Sequence, residues 1–143
     1  MLKTTTPILL LLLIGVTACD LGEKVDEAII TVSGNVSDGA QPVSGALVML
    51  VDSPDSPDGL SLANGSITSS TGNYTILNVD PGTYYVMAVD DANDNLKFDI
   101  ATDKIGFFGI DPAGSDLTPD GIVVTDDDLE NIDIEYLYSL PVF

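Results

Sequence analysis

Histidine and tryptophan are absent from this chain of 143 residues, and cysteine occurs once. Without imidazole there is no His-based acid–base pair and no zinc centre of the His/Cys type, and a lone thiol forms no intrachain disulfide. Cations are almost as scarce: Lys3, Lys24, Lys97 and Lys104 stand against 23 acids, for a net charge of −19. Phosphate recognition needs clustered Lys and Arg, so nucleic acid is excluded as a partner. Glutamate is confined to Glu23, Glu27, Glu130 and Glu135, and every other acid is Asp. Aspartate favours turns over helix interiors, which points to strands joined by acidic loops. Nowhere does an apolar period of about 3.6 residues persist, so no long amphipathic helix is expected. The length suits one domain of the usual ~100–200 residues.

What is present begins with an address. Lys3 precedes an apolar stretch, Pro7 to Val16, with an unbroken leucine run from Leu9 to Leu13. That stretch is too short to span a ~30 Å hydrocarbon core and has the form of a signal-peptide core. Val16-Thr17-Ala18-Cys19 follows, and it resembles the lipobox of bacterial lipoproteins. The resemblance implies cleavage before Cys19 and acylation of its sulfur and new amino terminus by chains of the palmitate kind. An ordinary secretory signal with a chance cysteine is the alternative. Two or three acyl chains, at ~0.8 kcal/mol per buried methylene, anchor a protein stably where one does not. The expected organisation is a signal peptide over 1–18, a lipidated tether over 19–27 and a folded domain over 28–143. Cleavage removes Lys3 and no acid, so the remaining chain is one unit more negative than the whole.

The text after the tether is strand-like. Ile30, Val32 and Val36 share one face of Ala28 to Val36, and Ser37-Asp38-Gly39-Ala40 is turn chemistry. Ala46 to Val51 is apolar throughout, consistent with a strand covered on both faces or with a short helix. Ile67 to Thr71, Tyr74 to Val79, Thr83 to Val89 and Ile122 to Thr125 read as further strands, and Ile132, Ile134 and Tyr136 alternate along Glu130 to Leu137. Seven or eight short strands at this spacing predict an all-β sandwich. Tyr84, Val86 and Ala88 should face the core with Ile30, Val32, Ile76, Ile132 and Ile134.

Two segments carry a family resemblance. Ser33-Gly34-Asn35-Val36 followed by Pro42-Val43-Ser44-Gly45-Ala46-Leu47-Val48, and Thr71-Gly72-Asn73-Tyr74-Thr75-Ile76 followed by Asp80-Pro81-Gly82-Thr83-Tyr84-Tyr85-Val86, resemble carboxypeptidase regulatory-like domains. The resemblance spans roughly residues 28–89. It implies a prealbumin-like (transthyretin-like) Greek-key sandwich and no peptidase activity, since that family name describes an accessory domain. Tyr74 and Tyr84 would fill the core edge and keep a hydroxyl at the rim. Related Cna-B-like domains form a Lys–Asn isopeptide bond, but Lys24 lies in the tether, so that chemistry does not carry over.

One constellation has chemistry of its own. Asp91, Asn93, Asn95 and Asp99 supply side-chain oxygens, and Lys97 a main-chain carbonyl, at the intervals with which a tight loop wraps Ca²⁺. Oxygen donors without nitrogen or sulfur favour calcium over transition metals. The spacing resembles the first part of EF-hand and dockerin loops. It departs from them at Leu96, where they have a turn glycine, and at Thr102, with Asp103 one residue late and no bidentate Glu. A solvated Asn/Asp-rich turn is the competing reading, and mutual repulsion among Asp90, Asp91, Asp94, Asp99 and Asp103 favours a bound cation. Asp111, Asp116 and Asp120 could form a second site or complete the first, all within an acidic loop over 90–120. Asp126-Asp127-Asp128 reads as a solvated turn.

The expected function is a calcium-stabilised accessory or binding module without catalytic activity. Its expected place is the bacterial cell envelope, lipid-anchored at Cys19 on the periplasmic face or the cell surface. Its partners would be the membrane, through that anchor, and another envelope protein or a glycan. A small hydrolase using a carboxylate pair on envelope glycans is one alternative, although so many acids make close pairs inevitable. A purely structural, acid-coated lipoprotein is another. An apolar or aromatic cluster at one sandwich end would favour binding.

Overall fold

Residues 29–55, 64–95 and 98–141 are described by a computed structural model. The expected signal peptide, Cys19 and the tether lie outside the described residues, as does Lys97. The described residues hold nine strands and no α-helix, so the protein is all-β: β1 (Val32–Asn35), β2 (Ser37–Asp38), β3 (Gln41–Pro42), β4 (Leu47–Val51), β5 (Gly65–Ile67), β6 (Asn73–Ile76), β7 (Gly82–Asp90), β8 (Lys104–Phe107) and β9 (Gly121–Val124). None of these elements is long except β7. Its Tyr- and Val-rich run extends to roughly 30 Å at strand rise, long enough to take two partners in tandem on one edge.

The larger sheet is built on that length. Strand β4 lies antiparallel between β5 and β7, with Leu47 opposite Val89 and Val51 opposite Tyr85. On its other edge β7 receives β8 along Met87–Asp90 and β9 along Gly82–Tyr85. At the junction Phe108 N–H donates to the Val86 carbonyl (3.0 Å), and Asp120 N–H donates to the Phe108 carbonyl (2.9 Å). Residues 109–119 are thus an out-and-back excursion that leaves and rejoins the sheet at one point.

The second sheet pairs β1 antiparallel with β6, Val32 opposite Ile76. Along the other edge of β1 a late segment runs parallel to it. Ser33 N–H donates to the Leu129 carbonyl (2.8 Å), Ile132 N–H to Ser33 (3.1 Å), Ile134 N–H to Asn35 (2.8 Å) and Ser37 N–H to Ile134 (2.8 Å). The chain then crosses to the larger sheet, where Tyr138 and Ile105 exchange two backbone bonds of 2.8 and 2.9 Å. One stretch, 129–138, ties the two sheets together.

Between the sheets lie Val48, Val86 and Ala88 on one side and Val32, Val36, Ile76, Ile132 and Ile134 on the other. The opposite face of the larger sheet is also buried. Leu47, Met49, Met87 and Val89 pack there with Ile105, Phe107 and Ile110, and Phe98, Tyr138 and Leu140 lean on them. Strand β4 is therefore covered on both faces, which is why its sequence is apolar throughout and does not alternate.

Of the expected core residues, Val86, Ala88, Val32, Ile76, Ile132 and Ile134 are buried, while Ile30 and Tyr84 are half-buried against the same cluster. Several boundaries differ from expectation. Ile67 ends β5 and points outward, and Thr68 turns inward. Its hydroxyl donates to the Val43 carbonyl (2.6 Å) and accepts from Ala46 N–H (2.9 Å). Strands β2 and β3 form a minimal hairpin whose loop residues Gly39 and Ala40 both have positive φ, the twist that suits a two-residue turn. The alternation expected through Tyr136 breaks at the crossing: Leu137 is buried and Tyr136 faces out. Gly106 makes this possible, because a Cβ there would collide with the Tyr136 carbonyl and the Leu137 side chain.

Candidate functional site

The described residues of the acidic loop between β7 and β8 are held together by side-chain hydrogen bonds. Asp91 Oδ1 accepts from Asn93 N–H (3.3 Å) and Asn93 Oδ1 from Asn95 N–H (3.1 Å), two successive Asx turns. The Asn93 and Asn95 amides both donate to Asp99 Oδ2, at 2.9 and 2.6 Å. Asp103 is 1% exposed and closes the loop at its base. Its Oδ1 accepts from Ala92 N–H (3.1 Å) and the Thr102 hydroxyl (3.0 Å), and its Oδ2 from Asp99 N–H (2.7 Å). Phe98, next to Asp99, leans on the outer apolar layer and pins the loop to the sheet.

The expected calcium donors Asp91, Asn93, Asn95, Asp99 and Asp103 are therefore neighbours in space. Their arrangement is closed by hydrogen bonds: no three carboxylates among the described residues surround a common point as metal ligands would. Asp103 acts as a staple between two turns of backbone. The donor chemistry fits calcium, since every side chain carries a hard oxygen. For an ion to enter beside Asp99, Asn93 and Asn95 would have to present amide oxygen where nitrogen now points, a half-turn of each terminal torsion. That exchange would compete with the two amide–carboxylate bonds and with the Asn93 Asx turn.

The other acids are placed differently. Asp111 and Asp116 exchange backbone bonds of 2.8 and 2.9 Å and close the turn 112–115 within the excursion, and Asp116 Oδ1 accepts from Thr118 N–H (3.0 Å). Asp120 sits against Gly109, at the root of the same excursion. Asp128 does more than solvate a turn, because its carboxylate accepts from Thr31 N–H at 2.8 Å. Asp133 does the same for Asn35 N–H at 2.8 Å. These two carboxylates satisfy backbone donors along the edge of β1.

A second feature has an apolar character. The excursion carries Ile110, Pro112 and Leu117, and the crossing segment carries Tyr136 and Tyr138. Together they line a groove of about 320 Å³. The two tyrosine rings stack with centroids 6.1 Å apart and planes 21° from parallel. Leu117 is 69% exposed and Tyr136 37% exposed. An adjoining groove of about 440 Å³ shares Ile110, Pro112 and Tyr136 and has Asp111 and Glu135 among its other lining residues. Nearby, Lys104 Nζ sits 2.7 Å from Asp38 Oδ2. That hydrogen bond and the Asp38 charge hold the ammonium above its ordinary pKa, with smaller help from Asp90 and Tyr136.

Sequence reasoning did not find this groove. Its five lining residues come from two segments that share no periodic pattern. The one local signal is the pair Tyr136 and Tyr138, two aromatic residues two positions apart. The chain matches no protein-family model, and no curated protein matches it in sequence.

Proposed function

We propose that this chain is a lipid-anchored accessory module of the bacterial cell envelope that binds another envelope component and performs no catalysis. The observation that carries the reading is the exposed apolar groove of Ile110, Pro112, Leu117, Tyr136 and Tyr138, set on a framework buried on both faces of its main sheet. Apolar side chains gathered beside stacked aromatic rings offer area that a partner can bury. The Val16-Thr17-Ala18-Cys19 motif supports the anchor, and the paired sheets are compatible with the prealbumin-like Greek key of a carboxypeptidase regulatory-like domain. Asp103, Asp128 and Asp133 serve as acceptors for backbone N–H groups, a structural use of these three carboxylates. Within this reading the loop of Asp91, Asn93, Asn95, Lys97, Asp99 and Asp103 takes up Ca²⁺ as a stabilising ion at the concentrations found outside cells.

The test is made on the full chain expressed with its leader in a bacterial host. Wild type should partition into detergent and yield an acylated peptide beginning at Cys19 by mass spectrometry. Cys19→Ser should stay in the aqueous phase or remain uncleaved. Detergent partitioning unchanged by Cys19→Ser would overturn the anchor and the location with it.

A further inference from the structure

We infer that the Tyr136–Tyr138 groove docks an extended segment of a partner protein that presents an aliphatic side chain flanked by lysine or arginine. This rests on reading the chain as a binding module and names what it binds. The groove wall is Ile110, Pro112, Leu117 and two aromatic rings, with no charged or amide side chain among them. A sugar needs several hydrogen-bond partners for its hydroxyls, and the only side-chain groups that offer them in this groove are the two tyrosine hydroxyls. An aliphatic side chain of a peptide has what the floor offers: area to bury and no polar group to satisfy.

The charge around the groove selects the flanking residues. Asp111 and Glu135 line the adjoining groove, which shares Ile110, Pro112 and Tyr136 with it. Lys104 is the one cation among the described residues, and Asp38 already holds it. The whole molecule carries −19. An anionic partner is repelled at every approach, whereas Lys or Arg beside the aliphatic anchor meets Asp111 or Glu135 and the exposed face of Tyr136. Carboxylate pairing and cation–π attraction then act on the same side chain. At ~0.15 M salt the long-range attraction decays over about 8 Å, so the acidic coat steers the segment and the apolar floor decides where it stops.

The experiment uses the full acylated chain in detergent micelles and a fluorescein-labelled octapeptide of alternating Lys and Leu, read by fluorescence anisotropy. The matching Glu–Leu peptide and a neutral oligosaccharide of N-acetylglucosamine serve as competitors. Wild type should bind the Lys–Leu peptide and be displaced by neither. Leu117→Ser and Tyr136→Ala both change outward-facing side chains and leave the core intact. Each should weaken binding about tenfold, and Asp111→Asn with Glu135→Gln should also flatten its salt dependence. The control is Asp126→Asn with Asp127→Asn. It removes equal charge beyond β9, near residue 82 of β7, whereas Tyr138 joins β8 opposite residue 89, roughly 23 Å along the strand. It should change binding less than twofold. If Leu117→Ser and Tyr136→Ala bind as wild type does, the attraction belongs to the general acidic coat and the inference falls, as it does if wild type does not bind the peptide. Displacement by the oligosaccharide would assign the groove to a glycan instead. A chain acylated at Cys19 whose peptide binding ignores both groove variants overturns this inference alone and leaves the anchored-module reading standing.

Discussion

Tyr74 shows how one hydroxyl can join two parts of the fold. Its ring is buried in β6, and its O–H donates to the Ile132 carbonyl at 2.6 Å, linking that strand to the late segment on the far side of β1. Tyr74→Phe keeps the ring and orphans the acceptor, so it should cost about 1–2 kcal/mol in denaturant unfolding. Burial, and secondarily the Asp133 charge, hold the phenol well above its ordinary pKa of 10.0. The folded state therefore keeps this proton at pH values where the unfolded chain releases it. The stability it confers is complete below about pH 10 and falls as pH rises beyond, by up to ~1.4 kcal/mol per pH unit. Tyr138, raised by burial alone, acts in the same direction. Unfolding curves at pH 8 and pH 11 should diverge more for wild type than for Tyr74→Phe, and equal divergence would count against this account. Val86, fully buried between the sheets, is the plainer case: Val86→Ala should cost roughly 1–3 kcal/mol.

Among the elements, the late segment 129–138 and the β7–β8 loop depend on different devices. The segment lies so close to β1 that a Cβ at Gly34 would collide with the Ile132 carbonyl. Gly34→Ala should push the segment away, costing about 1–3 kcal/mol or more, and should speed hydrogen exchange at Ile132 and Ile134 ahead of β4. The loop hangs on Asp103. Asp103→Ala leaves the Ala92 and Asp99 N–H groups without their acceptor. It should release residues 91–103 to proteolysis while β4 and β7 stay protected. The sequence made some of these elements legible and hid others for physical reasons. A continuous apolar run announces β4, because burial on two faces leaves nothing polar to alternate with. Alternation announces Ile132 and Ile134 for the opposite reason, since one face meets the core. Tyr136 escaped that rule because the chain changes sheets there, and a crossing is set by the tertiary space beside Gly106. The acidic motif names Asp91, Asn93, Asn95 and Asp99, and these four share hydrogen bonds in the loop. Spacing alone does not tell which atom of an Asn amide faces the carboxylate, and that detail separates a hydrogen-bonded turn from an ion cage. The roles of Asp128 and Asp133 as partners of β1 were hidden because the N–H groups they serve lie almost a hundred residues earlier.

At the scale of the whole molecule a net charge of −19 makes the folded chain repel itself, and any cation held in the β7–β8 loop relieves part of that repulsion. Millimolar CaCl₂ should raise the melting temperature of the full chain in detergent more than NaCl of equal ionic strength does, by binding the folded state alone. Asp91→Ala with Asp99→Ala should abolish that increment and leave the sheets folded. Equal melting in calcium and in chelator would make the loop a hydrogen-bonded turn and nothing more. The path of the chain has a further consequence, in time instead of space. Ser33 and Leu129, which lie side by side, are 96 residues apart in the sequence. A ribosome delivers β1 almost a hundred residues before its parallel neighbour, and closing so long a loop is slow and entropically costly. Until residue 138 has emerged, one edge of β1 is bare and the two sheets have no strap across them. Over that interval the nascent chain stays open, in a state that can still be threaded through a narrow passage, and the arrival of the ten residues that complete the fold also ends that opportunity.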